Sequence, residues 1–404
     1  QKKFNSIMQY LTMTMSIHQV MAQLRQGVQY VKEIDLALTE LRKVTDETEE
    51  TYEKFLQTAA KTGERLGATI SAVTEATATF AKLGYTMSQA TEMAEAAIVY
   101  KNVGDNIAST EDAADSIIST MKGFGLEATE SMAIVDKFNE VGNRFAITSQ
   151  GIGEALRLSA SALNEGGNSL DEAIGIITAA NEIVNDPSAV GTALKTLTLR
   201  LRGSKTELEE MGEDVTDMAT TTSQLQAKLL ALTGGKVDIM LDENTFKNST
   251  QILREMADAW GNMSDIQRAS ALELMGGKRQ ANVLSALIQN FDTVEKAIKA
   301  SANSAGSALK ENERYLDSIQ GKIDQFNNSL QAMWSNTLDS DMIKGFVALG
   351  TEIIKIIDKI GLLNSALLSL GAYKGVSALF KTFKKSAMPI QTIWQYINEL
   401  TVGF

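Results

Sequence analysis

Residues 84–104 read GYTMSQATEMAEAAIVYKNVG, and this stretch carries the pattern that decides the fold class. A glycine stands at each end. Between them, Thr86 and Gln89 have the spacing of a capping box, in which two side chains satisfy the free N–H groups at a helix start. Small residues fill much of the remainder. The stretch therefore predicts one short helix that packs closely on its neighbours and has a glycine turn on each side.

The same punctuation recurs about every twenty residues between residues 64 and 203. The turn marks are Gly84, Gly104, Gly123 with Gly125, Gly142, Gly166 with Gly167, and the Asn185-Asp186-Pro187 turn. Ser169 with Glu172 forms another capping box, and Ser109 with Asp112 a weaker variant. No residue signature repeats beyond the turns. We therefore expect one compact domain of about six short antiparallel helices rather than a solenoid.

N-terminal to this core, residues 20–58 predict one long helix, because their apolar residues follow a heptad register. Gly27, Thr45 and Thr48 make the register imperfect. The alternative is an amphipathic helix that packs on its own chain. We predict a self-association surface formed by Leu24, Val31, Ile34, Leu38, Leu41 and Phe55.

C-terminal to the core, residues 204–249 are more polar. They predict a linker or small insertion, with a short strand over 237–241. Ser264 with Gln267 is a further capping box. Long helices are predicted over 278–302 and 304–336. The fold class is all-α, a compact array of short antiparallel helices joined by glycine turns and flanked by long, coiled-coil-like helices. The predicted regions are 1–62 (N-terminal long helix), 63–203 (compact core), 204–249 (linker), 250–340 (long helices) and 341–404 (apolar amphipathic helices).

The C-terminal region carries the widest apolar stripe of the sequence. The uncharged run that follows it, 360–373, is shorter than the ~20 residues needed to cross a bilayer as a helix. A buried helix is therefore favoured, and an interfacial or oligomer-buried helix is the alternative. The residues predicted to face a membrane or a partner are Ile343, Phe346, Val347, Ile353, Ile354, Ile357 and Ile360.

Composition narrows the function classes. The 404 residues include 2 prolines and no cysteine, which favours helical arrays and excludes a disulfide scaffold or a cysteine-ligated zinc site. The formal net charge of −12 argues against binding to nucleic acid through phosphate contacts, although Lys381, Lys384 and Lys385 form a local basic patch. We expect no specific nucleic-acid binding.

Residues that could carry catalysis are scarce. The one histidine, His18, has no candidate ligand or nucleophile nearby. Gly234-Gly235-Lys236 and Gly276-Gly277-Lys278 lack the first glycine and final hydroxyl of a phosphate loop, and are better interpreted as helix ends. We predict no catalytic, cofactor-binding or metal-binding residues and no enzyme activity. Carboxylate-based hydrolysis is the enzymatic alternative, which a peptidoglycan zymogram would reveal.

Several short motifs resemble the core of the phage tail tape measure family of lactococcal-type siphophages. In chain order they are Phe80–Thr86, Ser109–Ala114, Met121–Gly125, Val135–Val141, Gly191–Thr196 and Leu199–Arg202, followed by Gly276–Leu284, Ala305–Ala308 and Tyr315–Ile319. Together the matching regions cover roughly half of the chain. Their order and number, rather than any single motif, carry the resemblance.

The resemblance implies a structural role in the tail lumen or tail tip, with host cytoplasm as the place of assembly. It implies that the protein sets tail length, templates the tail tube and takes part in DNA ejection. The implied partners are sister copies, with a trimer favoured, together with tail tube and distal tail or tip proteins and the host membrane. The alternative function is a membrane-active, pore-forming or toxin-like protein, which a liposome-leakage assay on residues 340–404 would distinguish. Because the chain begins at Gln1, we expect it to be part of a longer protein.

Overall fold

The computed structural model describes residues 17–335 except 217 and 220. Of these residues, 78% are helical, in 16 α-helices and one short 3-10 turn, and none forms a strand. The all-α fold class is therefore confirmed. The helices are α1 Ile17–Val44, α2 Glu49–Leu66, α3 Ile70–Ala81, α4 Met87–Val103, α5 Thr110–Phe124, α6 Ser131–Gly142, α7 Ser149–Glu165, α8 Leu170–Val184, α9 Pro187–Arg202, α10 Lys205–Glu210, α11 Thr222–Thr233, α12 Ser249–Trp260, α13 Asp265–Gln289, α14 Phe291–Ala302, α15 Ser307–Asp317 and α16 Ile319–Ser335.

The helix starts follow the predicted capping signals. Thr86, Ser169 and Ser264 each form the full reciprocal capping box that opens α4, α8 and α13. Ser109 accepts a hydrogen bond from the Asp112 amide at the start of α5. At the end of α8, Asn185 adopts the left-handed conformation, with φ of 52°, and Pro187 begins the next helix. Local residue chemistry therefore fixes these boundaries.

The expected single helix over residues 20–58 is wrong, because two helices occupy the region. α1 ends at Val44, and Thr48 caps α2 by accepting a hydrogen bond from the Thr51 amide at 3.2 Å. Glu49 and Glu50 favour a helix start through the positive end of the helix dipole. The threonine positions of the heptad rows therefore lie in the connection between the helices.

Three predictions for the sequence C-terminal to residue 203 also need correction. The predicted strand over 237–241 is a single antiparallel bridge between Met240 and Phe246. The predicted helix over 278–302 is interrupted at Asn290, where α13 ends. The predicted helix over 304–336 is interrupted at Ser318, whose backbone is extended. Asparagine and serine favour such breaks because their side chains compete for backbone hydrogen bonds.

The larger of two compact units comprises residues 40–68 and 72–325. Its centre is formed by α7, α8 and α9, against which α5, α13 and α14 pack. Gly191 lies so close to α7 that an added Cβ would stand 2.6 Å from the Ala155 carbonyl oxygen. Tyr100 and Phe138 are fully buried and make an edge-on ring contact at 5.7 Å. Helices from the predicted regions 63–203 and 250–340 therefore share one core.

The smaller unit contains the described residues 17–39, 69–71 and 326–335. Val31 and Trp334 form its buried core. The indole of Trp334 packs against Gly27, where an added Cβ would be 2.4 Å from a ring carbon. The Gln331 side chain accepts a hydrogen bond from the Ser71 amide at 3.3 Å and donates one to Glu33 at 3.2 Å. Gly27, which interrupts the heptad pattern, thus leaves room for the Trp334 ring.

Candidate functional site: polar junctions between sequence motifs

The motif Val135–Val141 lies on α6 and contacts the loop that opens α15. The carboxylate of Asp136 accepts hydrogen bonds from the amides of Gly306 at 2.8 Å and Ala308 at 2.9 Å. Asp136 is only 6% exposed. A buried carboxylate on two free amides at a helix start satisfies donors that the helix leaves unpaired and opposes the positive end of its dipole. Asp136 therefore acts as a cap supplied by a distant helix.

The other polar residues of this motif also make internal contacts. Lys137 pairs with Asp171 at 2.6 Å. The amide group of Asn139 donates to the Ser307 hydroxyl at 2.9 Å, and that hydroxyl donates to Glu140 at 2.9 Å. We call this set of contacts to residues 306–308 the α6–α15 junction. Each charged group of the motif is thus engaged in joining helices rather than aimed at an open cleft.

A second junction joins the motif Leu199–Arg202 to the motif Gly276–Leu284. Arg200 is buried, and its guanidinium donates a hydrogen bond to the Asp214 carbonyl oxygen. The guanidinium also lies against the backbone of Gly277, whose φ of 70° and ψ of 174° interrupt α13. Only glycine adopts this conformation without strain. Gly277 therefore bends α13 at the point where the arginine needs space.

Residues just after the bend hold the same loop from the other side. Arg279 donates to the Gly212 carbonyl oxygen at 3.0 Å, and Gln280 donates to Glu213 at 3.1 Å. Within the loop, hydrogen bonds from the Thr216 hydroxyl and amide lower the pKa of Asp214, and the positive charges of Lys278 and Arg200 act in the same direction. We call these contacts the Arg200–Gly277 junction. They fix residues 212–214, a loop within the polar region 204–249.

Arg202 forms a third junction. Its guanidinium donates to the carbonyl oxygens of Gly166 at 2.8 Å and Lys247 at 3.1 Å, and it stacks on the ring of Phe246 at 4.3 Å. Burial lowers the pKa of Arg202, and Glu165 opposes this effect. Arg202 ties the end of α7 to the segment that precedes α12.

Comparison with known proteins identifies the family to which these motifs belong. The model of the phage-related minor tail protein family matches residues 56–277, which is more than half of the chain.

The chain belongs to the phage-related minor tail protein family.

A relative in this comparison is a probable tape measure protein of Halomonas phage phiHAP-1, 21% identical over 212 residues. The match covers 52% of this chain and 23% of the relative, so the matched residues represent less than a quarter of that protein. No solved structure gives a significant match. The expectation of a phage tail protein is therefore confirmed, at the level of the minor tail protein family.

The matched range contains Arg200 and Gly277 but ends before Arg279 and Gln280 of the same junction, and the α6–α15 junction reaches beyond the range to residues 306–308. Further hydrogen bonds join residues 168–172 at the start of α8 to residues 248–250 at the start of α12. Asn168 accepts hydrogen bonds from the amide and hydroxyl of Thr250, at 3.0 and 2.9 Å. Asn248, which caps α12, donates to Glu172 at 3.0 Å. Sequence reasoning missed these contacts, although the Asn248 and Gln251 spacing is a capping signal.

Most of the residues predicted to mediate self-association are buried within the protein. Val31, Ile34, Leu38, Leu41 and Phe55 are all buried. The side chain of Leu24 is outside the described residues, as are Ile343, Phe346, Val347, Ile353, Ile354, Ile357 and Ile360, the uncharged run 360–373 and the basic patch Lys381, Lys384 and Lys385. Self-association of this minor tail protein through its N-terminal helices stays a prediction.

Within the described residues, side chains with the chemistry of a metal site do not converge, since no three His, Asp or Glu residues are grouped to hold an ion. Gly234 ends α11 in the left-handed conformation, as expected for a helix end rather than a phosphate loop. An open groove of about 670 Å³ lies between α2 and α4, lined by Lys54, Phe55, Glu92 and Glu95 among others. Among the helices described here, none is both long and apolar enough to span a bilayer.

Proposed function

We propose that this chain is a folded section of a tape measure protein, a structural component without enzyme activity. The observation that carries the proposal is the family match over residues 56–277, together with the similarity to a probable tape measure protein. The way the motif residues are used supports it. Asp136, Lys137 and Arg200 join helices to one another, which is what a structural unit requires of its polar groups.

In this role the whole protein sets tail length, templates the assembly of the tail tube and takes part in DNA ejection. Its location is the tail lumen or the tail tip, after assembly in the host cytoplasm. Its partners are sister copies, with a trimer favoured, the tail tube and distal tail or tip proteins, and the host membrane during ejection. The acidic balance of −12 supports a protein that does not adhere to the DNA that passes through the tail.

The described section is proposed to serve as a compact part of the protein rather than as its measuring helix. A single helix rises 1.5 Å per residue, so the matched residues 56–277 would span about 330 Å if extended. The longest helix among the described residues, α1, has 28 residues and spans about 42 Å by the same rise. The folded section therefore spans a much shorter distance than the same number of residues in one continuous helix.

The test is an in-frame deletion of residues 56–277 in the phage or prophage that encodes the chain, followed by electron microscopy of the particles. We expect filled heads without tails, because tail assembly lacks the folded section that it requires. Normal tails with normal infectivity would refute the proposed function. Tails that form but are shorter by about 330 Å would show that these residues measure length as an extended helix and would refute the compact role.

A matched control separates loss of the section from loss of its fold. Gly277→Ala keeps the length of the chain but is expected to destabilise the larger unit, because an added Cβ would lie 2.7 Å from the Arg200 guanidinium. If tails fail to form with this variant as well as with the deletion, the folded section is required. If tails of wild-type length form with this variant and not with the deletion, the residues are required but their stable fold is not.

A further inference from the structure

The helix α15 buries little apolar surface against the rest of the larger unit. It packs on α4 and α6, yet only Ala308 and Asn312 of its 11 residues are buried. Leu316 is half-buried beside Gly67, whose added Cβ would lie 2.7 Å from a methyl carbon of that leucine. Leu309, the other aliphatic side chain of the helix apart from the alanine, is 40% exposed. The hydrophobic effect therefore contributes little to the attachment of α15.

The central helix α8 shows the contrast within the same unit. Ten of its 15 residues are buried, among them Ile174, Ile176 and Ile177. Hydrophobic stabilisation is roughly proportional to the apolar area removed from water. Separation of α8 from its neighbours would therefore expose the core and unfold the unit, whereas separation of α15 would expose little apolar surface.

Hydrogen bonds to side chains of α6 and α4 hold α15 in place instead. The α6–α15 junction engages its start, through the two amides that Asp136 accepts. In the following turn, the amide group of Asn102 on α4 donates to the side-chain oxygen of Asn312 at 2.9 Å. At the other end, the Tyr315 hydroxyl donates to Asp324, which lies on α16. Because water can replace each lost partner, the net contribution of such bonds is modest.

The backbone is non-helical on both sides of α15. Gly306 precedes the helix with a φ of 78°, and no atom lies within 4 Å of its added Cβ. Ser318 follows the helix with an extended backbone, at a φ of −72° and a ψ of 163°. Breaks at the ends of an element can absorb a change of backbone angles. The position of α15 can therefore change while α14, which ends at Ala302, stays packed on α6 and α8.

We propose that α15 is a detachable strap, which separates from α4 and α6 while the core around α7, α8 and α9 stays folded. Its hydrogen bonds to Asp136 and Asn102 determine how often it opens. Segments with few buried apolar contacts are those that open locally in native proteins. α15 and the first residues of α16 are the last part of the described chain in the larger unit. Opening therefore changes where the chain leaves this unit without unfolding its core.

Hydrogen exchange on the full chain, measured by mass spectrometry of peptides, tests whether the strap opens independently. We expect the amides of residues 307–317 to exchange on the order of tenfold faster than those of 170–184, or more, after correction for intrinsic rates. Thiol labelling gives a second measurement, because the sequence has no cysteine. Ala308 and Ala173 are both fully buried, on α15 and α8. We expect the thiol of Ala308→Cys to be labelled on the order of tenfold faster than that of Ala173→Cys.

A matched pair of substitutions tests the hydrogen bonds that hold the strap. Asp136→Asn removes the charge and leaves one acceptor oxygen for two amides, so exchange in 307–317 should rise on the order of tenfold. Asp171→Asn is the control. Asp171 accepts from Lys137 and Ser301, and these contacts remain when α15 separates, so exchange in 307–317 should not change. If circular dichroism shows that Asp136→Asn fails to fold, Asn312→Ala, which removes the contact with Asn102, replaces it.

Three outcomes overturn the proposal. Equal corrected exchange rates in 307–317 and 170–184 would mean that α15 opens only when the core unfolds. Equal labelling of the two cysteine variants would lead to the same conclusion. An equal effect of Asp136→Asn and Asp171→Asn on exchange in 307–317 would mean that the α6–α15 junction does not hold the strap. The proposal does not depend on the tape measure role, since it concerns opening within one unit.

Discussion

The bend in α13 offers a sharp test of the Arg200–Gly277 junction. Gly277 has a φ of 70° and a ψ of 174°, a combination that is essentially restricted to glycine. In Gly277→Ala, the new Cβ would lie 2.7 Å from Nη2 and 3.0 Å from Cζ of Arg200. The substitution therefore strains the backbone and displaces a buried guanidinium at the same time.

The expected magnitude follows from these two effects. A non-glycine residue in this backbone region costs about 1–3 kcal/mol. Moving Arg200 breaks its hydrogen bond to the Asp214 carbonyl oxygen, and a hydrogen bond that involves a charged group contributes about 1.5–3 kcal/mol. We therefore expect Gly277→Ala to lower the free energy of unfolding of the larger unit by about 3–5 kcal/mol.

Two control substitutions separate the contributions. Gly203 also has a positive φ, 75°, but no atom lies within 4 Å of its added Cβ, so Gly203→Ala should cost only about 1–2 kcal/mol. Gly261 has a helical φ of −63° and open space, so its substitution by alanine should be neutral or slightly stabilising. The assay is urea unfolding followed by far-ultraviolet circular dichroism, with midpoints and slopes compared between variants.

A double-variant cycle decides whether the arginine is the cause. In an Arg200→Ala background, the Gly277→Ala substitution should lose its steric component, which gives a coupling of at least about 1 kcal/mol between the sites. If the two substitutions are additive, or if Gly277→Ala costs no more than Gly203→Ala, the junction does not stabilise the fold in the way argued.

Three further substitutions test the other junctions and caps. Asp136→Ala should lower the free energy of unfolding by about 2–4 kcal/mol in urea titrations, because two amides at the start of α15 lose a buried acceptor; an effect below about 0.5 kcal/mol would contradict the cap. Gly27→Ala should shift the tryptophan fluorescence of the chain to longer wavelength, since an added Cβ would meet the Trp334 ring at 2.4 Å, and an unchanged spectrum would mean that the ring is not packed there. Ser169→Ala removes one half of a capping box and should lower thermal stability by about 1 kcal/mol, with no change in melting temperature counting against the cap.

The local parts of this fold could be predicted from the sequence because local chemistry determines them. The capping boxes at Thr86, Ser169 and Ser264 open helices where expected, since their hydrogen bonds link residues only three positions apart. The same reasoning failed over residues 20–58. There, apolar spacing favoured one continuous helix, and the capping preference of Thr48 prevailed over it.

The junctions could not be predicted, because they depend on which helices become neighbours. The sequence singled out the motif around Asp136 and the motif around Ser307 separately, and nothing in either indicates that a carboxylate on one caps the helix of the other. Gly27 illustrates the same limit. In a heptad register a glycine weakens the seam, whereas in three dimensions it is the position that admits Trp334.

The junctions also bear on the tape measure role proposed above. Asp136 and Gly306 are 170 positions apart in sequence and are joined by a hydrogen bond of 2.8 Å. In a single continuous helix the same residues would be separated by about 255 Å. The folded unit and an extended measuring helix are therefore mutually exclusive arrangements of residues 72–325. Extension would break the hydrogen bonds of Asp136, Asn168 and Arg200 and expose the apolar core around Tyr100 and Phe138, a large cost in free energy. If the proposed tape measure role holds and this unit stays folded, the residues that set tail length lie outside it, and for this reason the deletion of 56–277 is expected to affect tail formation rather than to shorten tails in proportion to the residues removed.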